Sequence, residues 1–297
     1  MNKKIAFILQ VHQNPIQLNK FIKQLTQSDL VDVYIHIDKK SYDSVSESIN
    51  RNKNVYILND SIDVSWGDIS QVDATLLLLK TVLSSGSNYD YICFRSGQDL
   101  LVKEGFIEYL YNNNNKILMT ARKVDFNEVS TAHQRIKWFS VMRKRYSPKH
   151  PFRILRRMFF ILYGMGINLR PNRYKLPEGY SLYRGAQWFT LTQDSAKFIL
   201  NFLEENEWYY RAFKYSLVPD ERFFQTLLMN SKYKDNILDC NSIFLKWGVT
   251  IKERNSPVIL KMKDIQAIDE SGHYFARKFD EKVDFEIVDY YVNNIKL

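Results

Sequence analysis

Hydrophobic residues in the first 120 positions form short continuous runs, separated by longer segments with apolar residues at helical spacing. In chain order, the pattern predicts a strand at Ile5–Val11, a helix from Pro15 to about Leu25, a strand at Val31–Ile37, a helix near Tyr42–Ile49, a short strand at Asn54–Leu58, a helix at Asp68–Leu83 and a buried strand at Tyr89–Phe94. Short strands that alternate with helices of about ten or more residues indicate βαβ units and a parallel sheet. We therefore expect an α/β fold with a mostly parallel central sheet flanked by helices.

Polar and glycine-bearing sequences lie where the predicted strands end. Asp38 follows the second strand, Ser65-Trp66-Gly67 precedes the long helix, and Ser96–Asp99 follow the buried strand. In parallel sheets, ligands bind beyond the carboxyl ends of the strands. These residues therefore mark the expected binding site. The chain contains no GxGxxG sequence and no Walker lysine loop, so neither a dinucleotide fold nor a P-loop is favoured.

The second half of the chain returns to strands and helices after an interruption at about 129–177. It resumes with a β-like segment at 185–192, a helix at about 195–204 and a helix over about 219–229. The sequence shows no internal repeat, no low-complexity linker and no clear domain boundary. A single domain spanning 1–297, with a basic insert at about 129–177, is the simplest organisation.

Composition narrows the class of protein. With 297 residues, 45% of them hydrophobic and 14% aromatic, the chain can form a large core, which excludes a disordered protein. Cys93 and Cys240 lie far apart without metal-type spacing, which favours a reducing compartment and gives no sign of a structural zinc site. The apolar run that starts near Ile5 is too short for a signal peptide or a membrane span. These observations predict a cytoplasmic protein.

The net charge of +9 originates in the insert, where residues 129–177 contain twelve Lys or Arg residues and no acid. Within it, Arg156 and Arg157 adjoin an apolar run that ends near Ile167. A run of this length is too short to span a bilayer but suits an interfacial segment, so we expect 153–167 to contact a membrane surface. A core helix with a solvated basic end is the alternative. Nucleic-acid binding is a third reading, but no recognised binding motif accompanies the patch, so no nucleic acid is expected.

The most informative short sequence begins with Val218 and Pro219 and continues with two adjacent carboxylates, Asp220 and Glu221. Proline is well tolerated at the start of a helix, so the two acids are predicted to lie in a first helical turn. There they would adjoin unpaired backbone N–H groups and the positive end of the helix dipole. A carboxylate held in this way is ionised and oriented, as a general base must be. A helix start without a catalytic role is the alternative.

Seven short sequences form a further pattern along nearly the whole chain. In order, they are Gln10-Val11-His12 with Asn14-Pro15, Ile35–Lys40, Val64–Gly67, Ser96–Asp99, Gly185–Phe189, Pro219–Glu221 and Phe275–Asp280. Each is weak alone, but together they resemble the core-2/I-branching β-1,6-N-acetylglucosaminyltransferase family, which also contains the peptide O-xylosyltransferases. The resemblance implies a GT-A-like fold, a nucleotide-sugar donor and transfer with inversion at the anomeric carbon.

By this resemblance Glu221 is the catalytic base and Asp220 supports it. An inverting transfer needs one base to take the proton of the acceptor hydroxyl, and one oriented carboxylate can do so. Many enzymes with this fold bind a metal on an Asp-x-Asp motif, but this sequence has none, and the family it resembles works without metal. We therefore expect no metal and no cofactor. Lys278 matches the cation that neutralises the diphosphate; Arg254 matches less closely, and Lys261 is its rival.

The resemblance also suggests further donor-binding positions. Asp38 looks like the acid that contacts uridine, Val11 ends the first strand and His12 follows it, and Asp99 is placed to position the donor sugar. Each polar residue has a structural alternative. Asp38 could be a strand-end turn residue, His12 a hydrogen-bonded core histidine, and Asp99 the cap of a helix near Glu104.

Three tryptophans and two lysines receive less specific interpretations. Trp247 resembles the aromatic platform beneath an acceptor sugar, with a position in the core as an equal alternative. Trp188 and Trp66 are assigned mainly to packing. Lys39 and Lys40 are expected to form a solvated turn.

The sequence thus predicts a metal-independent inverting glycosyltransferase that uses a UDP-sugar, with UDP-GlcNAc as first choice and UDP-xylose as the alternative. The expected acceptor is a glycan of a surface polysaccharide, which could be lipid-linked, at the inner face of the cytoplasmic membrane. Animal members of the family carry a membrane anchor and many cysteines; the lack of both here predicts a bacterial relative. A non-catalytic carbohydrate- or nucleotide-binding relative is the competing class.

Overall fold

The computed structural model of the protein describes residues 4–125, 128–240, 242–248 and 256–297. The strands are β1 (Ile5–Val11), β2 (Val31–Ile37), β3 (Val55–Ile57), β4 (Tyr91–Ser96), β5 (Leu100–Leu101), β6 (Ile117–Met119), β7 (Arg122–Lys123), β8 (Tyr183–Arg184), β9 (Phe189–Thr192), β10 (Ile237–Leu238), β11 (Ile243–Leu245) and β12 (Phe275–Arg277). The α-helices are α1 (Pro15–Leu25), α2 (Tyr42–Ser46), α3 (Ser70–Leu83), α4 (Phe106–Asn112), α5 (Ala132–Arg135), α6 (Ser140–Arg143), α7 (Pro151–Gly164), α8 (Gln193–Glu205), α9 (Glu207–Lys214), α10 (Phe223–Met229), α11 (Ile265–Glu270) and α12 (Phe285–Asn294).

In the part of the chain that the structure describes, the main sheet has seven strands in the order β10-β6-β9-β4-β1-β2-β3. Strands β4, β1, β2 and β3 are parallel, and β6 is parallel to β10. Strand β9 lies antiparallel between β4 and β6. A smaller sheet pairs β11 with β12 and β12 with β5. The predicted α/β fold with a mostly parallel sheet is confirmed.

The central strands are buried because helices cover the sheet. Strand β2 is buried along its whole length and β1 at every residue except Gln10. Helix α3 packs against β1 and β2, and α1 contacts β2. Phe7 of β1 meets the rings of Phe106 and Phe275 with centroids 6.2 and 6.0 Å apart, which joins the main sheet to α4 and the small sheet. The bounds predicted for β1 and β2 are confirmed.

The segment that contains the two carboxylates differs from its prediction. Residues Pro219–Glu221 form a separate 3₁₀ turn, and α10 begins only at Phe223. Arg222 separates the two because its φ of −137° is not helical. The placement of Asp220 and Glu221 in the first turn of a longer helix was therefore wrong. They lie in a short turn before that helix.

The basic insert forms helices α5, α6 and α7 around a small hydrophobic group that we call the insert cluster. It contains Ala132, Ile136, Trp138, Met142, Leu217 and Val218, with Phe159, Phe160 and Tyr163 packed against it. No residue of α7 is buried, so the alternative of a core helix is wrong. No helix in the described residues is both long enough and apolar enough to cross a membrane.

Candidate active site

A cavity of about 430 Å³ opens at the carboxyl ends of β1, β2 and β4. His12, Asp38 and Gln98 line it from the segments that follow these strands, and Trp66 lines it from the segment before α3. This position agrees with the expectation that ligands bind beyond the carboxyl ends of parallel strands. The turn at 219–221 and the segment after β12 complete the wall.

Two backbone hydrogen bonds hold the carboxylate turn in place. Val218, which has a left-handed φ of 52°, donates its N–H to the carbonyl of Gly67 at 2.9 Å. Gly185 donates its N–H to the carbonyl of Glu221, also at 2.9 Å. The turn is thereby fixed between the segment before α3 and the segment before β9. Its orientation depends on contacts between distant parts of the chain, not on a helix that it begins.

The two glycines that bind this turn cannot carry a side chain. A Cβ at Gly185 would lie 1.7 Å from the carbonyl oxygen of Thr120. Gly67 has a φ of 75°, and a Cβ there would lie 2.7 Å from the carbonyl oxygen of Arg143. Both glycines belong to short sequences that the family resemblance singled out. Their role is to let two backbones approach closely beside the cavity.

Asp220 and Glu221 experience different environments. Asp220 is 5% exposed, and its Oδ1 has no hydrogen-bond partner in the described residues. Burial and then the charge of Glu221 raise the pKa of Asp220. The Glu221 side chain is open to the solvent of the cavity, yet protein atoms surround it on most sides. Desolvation therefore raises the pKa of Glu221 as well, while Arg222 and Arg184 oppose that rise.

A single proton shared by these carboxylates belongs on the more deeply buried one. Asp220 is that residue, so Glu221 is the more readily ionised of the two carboxylates, both of which line the cavity. The buried guanidinium of Arg222 donates to the carbonyl of Val218 at 3.1 Å and stabilises this arrangement electrostatically. Glu221 can therefore accept a proton from a group in the cavity.

Cations line the other side of the cavity. Lys278 donates from Nζ to Ser256 Oγ at 2.8 Å. Desolvation, followed by repulsion from Arg277 and Arg145, lowers the pKa of Lys278 to about 8. The Arg277 guanidinium lies 4.1 Å from the ring centroid of Trp188. An anion bound between these side chains would relieve their mutual repulsion, so this part of the cavity favours a negatively charged group.

Asp99 is fully buried and lies behind the cavity wall. Its Oδ1 is 3.3 Å from Nε of Arg277, and its Oδ2 accepts from the N–H of Ser96 at 3.0 Å. It therefore orients Arg277, which lines the cavity, without lining it directly. The alternative that Asp99 caps a helix near Glu104 is wrong, because α4 is preceded by Gly105 and has no side-chain cap.

The three other predicted donor residues lie together at the cavity. Asp38 lines it, while its Oδ1 accepts from the N–H of Lys40 at 3.0 Å, so the carboxylate is also a turn residue. Val11 accepts at its carbonyl from the N–H of Asp38 at 2.8 Å. His12 lines the cavity and is exposed, so the alternative of a core histidine is wrong. Desolvation lowers the pKa of His12, although Asp38 opposes the change.

Lys39 and Lys40 are exposed in a short turn after β2, as predicted. The Lys40 side chain is 55% exposed, as predicted for a solvated turn. It also lies 3.2 Å from Asp38 Oδ2, forms an ion pair with Asp63 and donates to the carbonyl of Val64 at 2.6 Å. Lys40 therefore ties the edge of the cavity to the segment before α3.

The structure decides between the interpretations of the three tryptophans. Trp247 lines the cavity and is 54% exposed, so its core alternative is wrong. Trp188 is buried against Phe94, as the packing assignment predicted. Trp66 is 39% exposed at the cavity, which contradicts its assignment to packing. The Arg156 guanidinium of α7 lies 5.8 Å from the Trp66 ring centroid.

Arg254, a predicted diphosphate-binding residue, lies outside the described residues. Its rival Lys261 does not line the cavity. Lys261 instead donates its N–H to Asp264 Oδ2 at 3.0 Å, at the start of a short 3₁₀ turn. Of the predicted cations within the described residues, Lys278 is the one that lines the cavity.

Sequence reasoning missed several cavity residues. Arg145 was counted in the basic insert, but nothing in the local sequence indicates that it faces Lys278. Gln10 and Gln187 occur in the short sequences that carried the resemblance, which was a usable signal. Gln10 donates to Thr75 Oγ1 at 2.8 Å and lies 3.5 Å from Gln187. In the described segments, no group of three or more His, Cys, Asp or Glu side chains is arranged to hold a metal ion.

The fold and the site define an α/β protein whose cavity, at the carboxyl ends of parallel strands, is lined by both carboxylates and cations. The profile of the Core-2/I-Branching enzyme family matches residues 5–269. The chain belongs to this family, and the GT-A-like fold expected from the resemblance is confirmed.

The chain is similar to several named proteins and to one solved structure. A protein named xylosyltransferase from Ciona intestinalis is 23% identical over 97% of this chain and 33% of its own length. The Mus musculus protein named beta-1,3-galactosyl-O-glycosyl-glycoprotein beta-1,6-N-acetylglucosaminyltransferase 4 is 25% identical over 94% of this chain and 63% of its own. The chain spans about a third of the length of the xylosyltransferases that it matches. The apo structure of the bifunctional glycosyltransferase WbbM aligns with 99% of this chain and 50% of its own, with 12% identity and a TM-score of 0.44.

Proposed function

We propose that this protein is an inverting glycosyltransferase that moves GlcNAc from UDP-GlcNAc to a hydroxyl group of a glycan. The observation that carries the proposal is the placement of the Glu221 carboxylate and the Lys278 ammonium in one cavity at the carboxyl ends of β1, β2 and β4. We further propose that the whole chain forms one catalytic domain, with 129–177 as an insert. Membership of the core-2/I-branching family supports the reaction class.

In the proposed reaction, Glu221 takes the proton of the acceptor hydroxyl. The hydroxyl oxygen forms a bond with the anomeric carbon of the donor sugar as the bond from that carbon to the diphosphate breaks, so UDP leaves with the bonding electron pair. Attack from the side opposite the leaving group inverts the anomeric centre. Asp220, which holds its proton, does not compete with Glu221 as base. Orientation and proton transfer together account for the requirement for one aimed carboxylate that can reach the acceptor hydroxyl.

The leaving diphosphate gains negative charge as its bond breaks, and Lys278 is placed to stabilise it. Arg277, held by Asp99 and stacked on Trp188, adds positive potential at the same wall. Fixed cations in a partly desolvated site stabilise developing charge effectively. This cationic wall supports the proposal that transfer is metal-independent. Asp38, Val11 and His12 are proposed to contact the uridine end of the donor.

UDP-xylose is the second candidate donor because several relatives are named xylosyltransferases. The two donors differ in the substituents at C2 and C5 of the sugar, so the residues around the cavity decide between them. Trp247, exposed at the cavity, is proposed to lie beneath the acceptor sugar. The finer proposal for the acceptor is a glycan of a surface polysaccharide, linked to lipid, at the inner face of the cytoplasmic membrane.

The decisive experiment measures UDP release from UDP-GlcNAc and UDP-xylose, with water or added glycans as acceptor. We expect one donor to be consumed faster than the other. Inversion is then read from the anomeric configuration of the transferred sugar by NMR. If the protein bound UDP but released none from either donor with any acceptor, it would instead be a non-catalytic relative that binds the nucleotide.

A further inference from the structure

Helix α7 has apolar residues on two opposite faces, and only one of them is covered. Phe159, Phe160 and Tyr163 pack against the insert cluster. Phe160 meets Trp138 with ring centroids 5.1 Å apart, and the hydroxyl of Tyr163 lies 2.9 Å from Thr131 Oγ1. These contacts fix the rotation of the helix about its axis. The opposite face is therefore held outward.

The outward face is an apolar ridge, which we define as Ile154, Met158, Ile161 and Met165. Their spacings of four, three and four residues place them along one side of the helix and its C-terminal end. They are 51, 52, 55 and 69% exposed, respectively. Large exposed apolar patches of this kind mark surfaces that contact a partner or a membrane.

The charges around the ridge identify its partner. Arg153 and Arg157, four residues apart, lie along one flank of the ridge, and residues 129–177 contain no acid. The guanidinium of Arg153 donates one N–H to the carbonyl of Tyr146 at 2.9 Å. An apolar ridge with a basic flank is complementary to an anionic lipid surface, whose headgroups attract the cations while the acyl region accepts the apolar side chains.

The ridge belongs to the same insert that reaches the cavity. From the other side of α7, Arg156 lies over Trp66 at the cavity edge and donates to the carbonyl of Met142 at 3.1 Å. Three residues after Met142, Arg145 lines the cavity. Helix α7 therefore lies between its outward ridge and Trp66 at the edge of the cavity.

We propose that the α7 ridge docks the protein on an anionic lipid bilayer. The proposal does not depend on the glycosyl-transfer reaction, because vesicle binding is measured without substrate. The test is co-sedimentation of the full chain with phosphatidylcholine vesicles and with vesicles that contain phosphatidylglycerol. We expect binding to the anionic vesicles, and at least about tenfold weaker binding for the double variant Met158→Ser/Ile161→Ser.

Matched controls separate docking from general effects of substitution. Phe285→Ser removes an apolar side chain that is 60% exposed on another helix, and should bind vesicles as the unmodified protein does. Arg157→Gln should weaken binding only to anionic vesicles, whereas Arg51→Gln should leave it unchanged. Equal binding by the ridge variant and the unmodified protein would overturn the proposal. So would equal binding to neutral and anionic vesicles.

A second measurement reports insertion directly. Met165→Cys, labelled with an environment-sensitive fluorophore in a Cys240→Ser background, should shift to the blue when anionic vesicles are added. The same label at Phe285→Cys should not shift. If light scattering instead showed a dimer that the ridge variant dissociates, with no vesicle binding, the ridge would be an interface between two copies and the docking proposal would fail.

A separate observation concerns the cavity itself. Arg145 is exposed at the cavity wall and makes no hydrogen bond or ion pair with the described residues. It is close enough to Lys278 to repel it. The nearby carboxylate of Asp99 is paired with Arg277. Arg145 and Lys278 thus line one cavity, and neither forms an ion pair with a carboxylate of the described residues.

We infer that Arg145 binds a phosphate group in this cavity, either of the donor diphosphate or of a lipid-linked acceptor. The inference rests on the proposed function for the identity of the donor. In Arg145→Gln, binding of UDP should weaken about tenfold relative to uridine if the donor is the source. If the acceptor is the source, UDP binding stays unchanged and inorganic phosphate binds more weakly to the UDP-saturated protein.

Lys144→Gln, one residue away and outside the cavity, is the control and should match the unmodified protein. Unchanged binding of both UDP and phosphate in Arg145→Gln would overturn this inference. Failure of the proposed function gives a different result. The unmodified protein would then bind no UDP, while Arg145→Gln could still weaken the binding of inorganic phosphate.

Discussion

Asp220 and Glu221 are neighbours in sequence, but the structure gives them unequal surroundings. Burial raises the pKa of Asp220 because it is the more deeply buried, which leaves Glu221 as the more readily ionised partner. The sequence identified the pair and the resemblance selected Glu221. From the sequence, we expected a helix dipole to orient the two carboxylates. The structure instead shows a separate turn held by backbone hydrogen bonds to Gly67 and Gly185. The residue types were predictable, but the means of positioning them were not.

The first prediction tests the proposed base. Glu221→Gln keeps the size and polarity of the side chain but cannot accept a proton, so turnover should fall about 10²–10⁴-fold. UDP affinity should stay nearly unchanged, because Glu221 does not lie on the cationic wall. UDP release and calorimetric UDP binding are the two measurements. Glu178→Gln, on an exposed loop, serves as the control. Equal turnover of both variants would remove Glu221 as the base.

The second prediction concerns pH. The base must be deprotonated, so the rate should rise with pH through the raised pKa of Glu221. Lys278 must be protonated to stabilise the leaving diphosphate, so the rate should fall as pH rises through about 8. The profile of kcat/KM against pH is expected to be bell-shaped. Lys278→Arg keeps its charge at high pH and should lose the alkaline decline; an unchanged decline would assign it to another group.

At the scale of elements, hydrophobic runs predicted strands and helices well wherever the element is long. Strands β1 and β2 were predicted at their observed bounds because their side chains are buried almost without interruption. Short strands such as β5 and β7 have two residues each, so pairing with a partner defines them more than their own sequence does. The sequence of helix α7 shows an apolar run beside basic residues. The insert cluster decides which face of this helix is covered.

The third prediction tests the close approach beside the carboxylate turn. In Gly185→Ala, the new Cβ would lie 1.7 Å from the Thr120 carbonyl oxygen, so the backbone must move. We expect a loss of stability of about 1–3 kcal/mol, as overpacking typically costs, together with lower activity because the Glu221 hydrogen bond shifts. Thermal unfolding measures the first effect. Gly164→Ala, whose Cβ would meet Val129 at an ordinary 3.6 Å, is the control and should not destabilise the protein.

At the scale of the whole molecule, the insert is joined to the sheet domain through a few specific contacts. Arg143 Nε lies 2.9 Å from Asp68 Oδ1 just before α3, and its guanidinium also donates to the carbonyl of Lys214. Leu217 and Val218 complete the insert cluster immediately before the carboxylate turn. The insert therefore packs beside the site and supplies Arg145 to its wall.

The fourth prediction concerns ligand-linked stability of the whole chain. A ligand that binds only the folded state stabilises it by about 2.7 kcal/mol at 100 times its Kd, so UDP should raise Tm. Under the proposed metal-independent mechanism, the rise should be the same with and without EDTA. A rise that disappears with EDTA and returns with a divalent cation would show that the diphosphate needs a metal. Uridine alone should give a smaller rise, because it cannot reach the cations.

The sequence alone determined the α/β class, the central strands and the resemblance to the family, and it led us to propose the two carboxylates and Lys278 for the site. These follow from hydrophobic periodicity and from short local sequences, both of which can be read without knowing the neighbours in space. Only the tertiary structure decided which carboxylate is buried, that Trp66 and Arg145 reach the cavity, and that α7 leaves an apolar face outward. Burial, pKa and exposure depend on residues far apart in the chain, and no local pattern records those contacts.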